Sequence, residues 1–136
     1  MIEKLRFILS LVLGIAFVKI GIDHFLDPAW FEPIVPEILG NPRFWVFASG
    51  GIEIIVGIML ILPTTQKLGA KFCAILLIVL YLANFNMWIN DIPIGGQTFE
   101  GKWHLLRLFI QLLLISIALF IGEIIPKKYE SKRIFQ

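Results

Sequence analysis

Apolar residues along this chain gather into four long runs, at about residues 5–25, 44–62, 68–89 and 104–125. Each is close to the ~20 residues that a helix needs to cross a hydrocarbon core. The stretches between them differ in character. Residues 26–43 contain Pro28, Pro33, Pro36 and Pro42, so no long helix can run through them. "PTTQK" at 63–67 reads as a short turn between antiparallel helices, and "NDIPIGGQTFEGK" at 90–102 is Gly-rich and irregular. The pattern predicts an all-α protein of one integral membrane domain over residues 1–136, a transmembrane four-helix bundle. The loop 26–43 also carries Trp30, Phe31, Ile34, Val35, Ile38 and Leu39 among its acids. A plain solvated connection does not need them, so this loop is expected to dip into the interface as a lid over the bundle mouth.

Composition sharpens the assignment. Hydrophobic residues make up 58% of the chain and charged residues 16%, with mean hydropathy +0.87. A soluble domain of this size cannot hide so much apolar surface. The net charge of +2 offers no argument for a nucleic-acid partner. Cys73 is the one cysteine, which excludes an internal disulfide and a thiol relay within the chain. It reads as a packing residue. The N-terminal run lacks a small-residue cleavage site and is expected to be a retained span rather than a signal peptide.

Basic residues predict the orientation. Lys4, Arg6, Lys67, Lys71, Lys127, Lys128, Lys132 and Arg133 share one side of a four-span bundle, while Arg43 and Lys102 lie on the other, with Arg107 just inside the fourth span. Positive charge stays inside, so both termini are expected in the cytoplasm, in a multi-pass protein of a bacterial cytoplasmic membrane. Trp30, Trp45, Trp88 and Trp103 all fall at the opposite face, where amphipathic rings anchor at headgroup level. Trp30, Phe31 and Trp88 are also candidates for covering or stacking on a ligand.

Polar residues interrupt every run. Lys19, Asp23 and His24 lie late in the first, Glu53 in the second, Asn84, Asn86 and Asn90 late in the third, and Arg107 and Gln111 early in the fourth. Converted at ~1.5 Å per residue, all sit in the same outer half of the bundle. Intramembrane ionisable groups are costly and point to a functional site. The competing reading is that they only bond helices to one another. Lys19, Asp23, Glu53 and Arg107 cancel in charge, so Lys19 or Arg107 is expected to meet Glu53 across the bundle, with Lys19–Asp23 pairing also open. His24 is a further donor, acceptor or proton carrier. Gly14 and Gly21, and Gly50 and Gly57, are each seven apart and suit close contact between the first two helices. His24 with His104 makes a poor metal site, and no metal is expected.

The motifs "GIDHFLDPAWFEPIVPEIL", "SGGIEIIVGIMLILPTTQKLGA" and "YLANFNM" resemble the DoxX family of small four-span membrane proteins. Gly21, His24, Phe25, Pro28, Ser49, Gly50, Glu53, Gly57, Asn84 and Met87 carry the resemblance, with Arg107 and Gln111 beyond it. Leu82 stands where many relatives have Pro. The resemblance implies a membrane four-helix bundle. Some DoxX-type proteins are tied to thiosulfate:quinone oxidoreductase or to redox partners, and the similar animal protein NACHO assists receptor assembly. The leading functional expectation is therefore binding of a lipid- or quinone-like amphiphile at the polar cluster, as an accessory to a redox complex. The alternatives are an assembly factor pairing with client transmembrane helices and a small proton-coupled transporter. No catalytic residue is assigned, and an isolated enzyme is the least favoured reading. A homo-oligomer or another membrane protein is a possible partner.

Overall fold

A computed structural model describes residues 1–124, in which four long helices form an antiparallel bundle. Helix α1 covers Ile2–Leu26 and ends where Asp27–Pro28 interrupts the ladder. Pro28 then opens the short helix α2, Pro28–Phe31, followed by single 3-10 turns at Glu32–Ile34 and Glu37–Leu39. Helix α3 spans Pro42–Ile61. It starts by the usual chemistry, with Pro42 in the first turn and the Asn41 side chain accepting from the Phe44 N–H at 3.3 Å. Helix α4, Gln66–Ile89, begins after a tight turn in which the Thr65 hydroxyl donates to Met59 O at 2.8 Å. Helix α5 covers Gly101–Ile121.

All four long helices have the length and apolarity to cross a membrane. At ~1.5 Å per residue, α1 is about 37 Å long, enough for a ~30 Å hydrocarbon core. The chain is thus a multi-pass membrane protein. The fourth helix is displaced from the expected 104–125: it starts at Gly101 and stops at Ile121, because Gly122 closes it and Glu123 turns left-handed at φ 60°. Residue 125 and the basic tail, with Lys127, Lys128, Lys132 and Arg133, lie outside the described residues.

The tightest seam joins α1 to α3, and glycine makes it. A Cβ built on Gly14 would stand 2.7 Å from Gly57 O, and one built on Gly21 would stand 2.6 Å from Gly50 O. Backbones meet here with no side chain between them, as small-residue packing in membranes requires. Ser10, fully buried, adds a hydrogen bond from its hydroxyl to Leu60 O at 2.6 Å. The apolar core lies in the half of the bundle that holds the termini. It comprises Leu13, Phe17, Val56, Leu60, Cys73, Leu77, Ala118, Ile121 and their neighbours. The same end is tied by charge. Arg6 donates from Nε to Phe120 O at 2.9 Å and lies 3.8 Å from Glu123, which Lys67 also reaches at 3.1 Å.

The opposite end is capped by the two long connections. Trp45 Nε1 donates to Leu39 O at 2.8 Å, Arg43 pairs with Glu32 at 2.6 Å, and Asn86 Nδ2 donates to Ile34 O at 3.0 Å. The second connection turns at Gly95 and Gly96, with φ 58° and 79°, between the mutually bonded Ile94 and Gln97. Two positive φ values in sequence demand glycine or a close substitute. Gly95 has a second reason: a Cβ there would lie 2.5 Å from the Trp30 ring. The two connections therefore interlock over the bundle end.

Candidate functional site

The glycine seam positions the site. Three residues beyond Gly21, on the same face of α1, comes His24. Gly50 makes room for it, since a Cβ on Gly50 would stand 2.6 Å from His24 Cβ. Three residues beyond Gly50 on α3 comes Glu53. The two side chains meet, His24 Nδ1 lying 3.3 Å from Glu53 Oε2, and both residues are buried. The imidazole is held from two directions. Nδ1 is 2.7 Å from Ile20 O, and the ring stacks on Phe31 with centroids 3.8 Å apart. A carbonyl can only accept, so Nδ1 carries a proton and directs it to Ile20. Glu53 Oε2 then has a close neighbour but no hydrogen bond, and it is a buried acceptor without a partner among the described residues. Such an atom costs about 1–3 kcal/mol until something donates to it.

Glu53 faces a cavity of about 320 Å³ to which every long helix contributes a polar side chain: His24 from α1, Glu53 from α3, Asn84 from α4 and Gln111 from α5. Phe31, Ile34 and Ile94 from the two connections close it. Gln111 donates from Nε2 to Leu77 O and so bridges α5 to α4. An adjoining groove of about 270 Å³ runs between α3 and α4 beneath the first connection. The two spaces share His24, Phe31 and Leu80 among their walls. The groove is apolar, and its rim residues Val79 and Leu82 are more than half exposed. It opens sideways, toward the surface that faces lipid in a membrane.

The other expected site residues lie elsewhere. Lys19 does not reach Glu53. It pairs with Asp23 at 2.7 Å on the outside of α1, its side chain 74% exposed. The reason is helical phase. At about 100° per residue, Lys19 is roughly 200° from Gly21, opposite the seam, whereas His24 returns to it. Arg107 does not meet Glu53 either. It sits half-buried one turn nearer the loop end than Gln111, donating to His104 Nδ1 at 3.3 Å with its guanidinium 4.3 Å from the Phe99 centroid. Arginine has no acceptor, so His104 presents a bare Nδ1 and carries its proton on Nε2. Asn86 and Asn90 are bonded to each other at 2.6 Å and secure the first connection rather than line the cavity. Trp88 stacks on His104 with centroids 5.7 Å apart, and Trp30 lies against Gly95. Of the three expected covering aromatics, Phe31 alone lines the cavity.

His104, weighed from the sequence only as a metal ligand, has a different role. It is buried between Trp88 and Phe99 and organises Arg107. Its signal was present in the spacing: His104 and Arg107 are three apart and share a helical face. Glu123 was missed, although it gathers Arg6 and Lys67 at the other end.

No curated protein and no solved structure matches the chain. A family model described as a domain of unknown function, DUF8561, matches residues 13–122. That range runs from the glycine seam to the close of α5 and includes His24, Glu53, Asn84 and Gln111. By this match over most of its length, the chain belongs to the DUF8561 family.

Proposed function

We propose that this protein is a DoxX-like binding module of a cell membrane, holding a lipid- or quinone-like amphiphile with its head at Glu53 and its tail in the groove between α3 and α4. The observation that carries the reading is the Glu53 carboxyl, buried in a cavity with one oxygen lacking a hydrogen-bond partner among the described residues. His24 meets this carboxyl across the helices at 3.3 Å, yet its proton goes to Ile20 O, so the contact leaves Oε2 open to a further donor. The neighbouring apolar groove, open at its side, supports a tail that enters from lipid. Mostly apolar pockets with a few convergent polar groups are the usual form of small-molecule sites. By the bias of basic residues the cavity faces the outer leaflet of a bacterial cytoplasmic membrane. Any redox role requires a partner protein to supply electrons.

Native mass spectrometry of the detergent-released protein tests this. A retained amphiphile of discrete mass is expected in the wild type and is expected to be depleted in Glu53→Gln. A bare chain that takes up no added amphiphile would remove the reading.

A further inference from the structure

We infer that the head held at Glu53 is a hydrogen-bond donor without negative charge, such as a hydroxyl, and that anionic heads are excluded; this rests on the amphiphile reading above. An inventory of the polar groups around the cavity leads to it. Glu53 Oε2 is an acceptor in need of a donor. His24 directs its Nδ1 proton to Ile20 O, which in a neutral ring leaves Nε2 as a second acceptor. Gln111 commits one amide N–H to Leu77 O and keeps its second N–H and its Oε1, one donor and one acceptor. Asn84 forms no hydrogen bond among the described residues, so its amide can both give and take one. Acceptors therefore outnumber free donors at this site.

Charge points the same way. Among the described residues, no lysine or arginine lines the cavity. Lys19 is engaged with Asp23 on the far side of α1, and Arg107 is turned to His104 and Phe99. A carboxylate or phosphate head would enter an apolar enclosure beside Glu53 with no cation to offset it. Buried charge needs a partner, and the cations that sequence reasoning assigned to this role are elsewhere. A hydroxyl placed at Glu53 supplies the missing donor and can accept from Asn84 in return.

The test uses two probes with the same tail, monoolein and oleic acid, titrated at pH 8 into the delipidated full chain, with bound fractions read by native mass spectrometry. Wild type is expected to bind monoolein at least tenfold more tightly than oleate. In Glu53→Gln, which puts an amide donor in place of a carboxyl oxygen, that preference is expected to fall to threefold or less. Asn84→Leu keeps the Glu53 carboxyl and is expected to weaken monoolein several-fold while oleate stays excluded, so the inference remains testable should Glu53→Gln fail to fold. Equal binding of the two probes by wild type would overturn the donor-head inference and leave the amphiphile reading standing. An undiminished preference in Glu53→Gln would do the same. Uptake of neither probe by wild type would overturn both.

Discussion

At the scale of single residues, the phase of a helix decides which polar group matters. Lys19, Asp23 and His24 lie within six positions of one another, yet His24 alone among them lines the cavity. Lys19→Gln is accordingly expected to leave amphiphile retention in native mass spectra unchanged, while Glu53→Gln depletes it. If both variants lost the ligand equally, Lys19 would belong to the site after all. The chemical identity of Glu53, His24, Asn84 and Gln111 as site candidates was legible in the sequence, because polar groups at membrane depth stand out against apolar runs. Their partners were not. Charge balance alone matched Glu53 with Lys19 or Arg107, but it carries no angular information. The glycine positions did carry it: counting from Gly21 places His24 on the seam and Lys19 off it. The contact of Arg107 with Phe99 depends on how residues 90–100 fold back, which no local pattern encodes.

At the scale of elements, the seven-residue glycine spacing predicted a close α1–α3 approach, and each glycine there faces a backbone oxygen of the other helix. Gly57→Val would press Cβ against Gly14 O and Val18, at 2.7 Å from each. Overpacking of this kind costs about 1–3 kcal/mol, so the apparent melting temperature in detergent should fall clearly. Gly51→Ala is the control. Its nearest foreign atom would be Phe25 Cζ at 3.9 Å, an ordinary contact, and little change is expected. Equal destabilisation by the two would deny the seam its special role. Phe31 matters in another way. It stacks on His24 and borders both the cavity and the groove. Phe31→Ala should open the boundary between them, and exchange of bound amphiphile, followed by competition with a fluorescent analogue, should become faster than in wild type.

At the scale of the molecule, four apolar runs were enough to read an all-α membrane bundle, because lipid leaves helices as the main way to satisfy a spanning backbone. Helix ends were less legible, since the close of α5 depends on Gly122 and the left-handed Glu123 rather than on apolarity. Sidedness can be measured directly. Cys73 is fully buried and should be silent to thiol reagents, so single cysteines can report position in an otherwise natural chain. Thr98→Cys, in the second connection, is expected to react with a membrane-impermeant maleimide in intact cells, and Lys4→Cys only after lysis. The reverse pattern would invert the orientation drawn from the basic residues.

The bundle is unequal along its length. Arg6, Lys67 and Glu123 fasten α1, α4 and the close of α5 at the terminal end, beside the apolar core, while the far end holds the cavity between the Gly21–Gly50 contact and the two connections. One wall of that hollow is therefore fixed by backbone against backbone, and the others are built from side chains and loops.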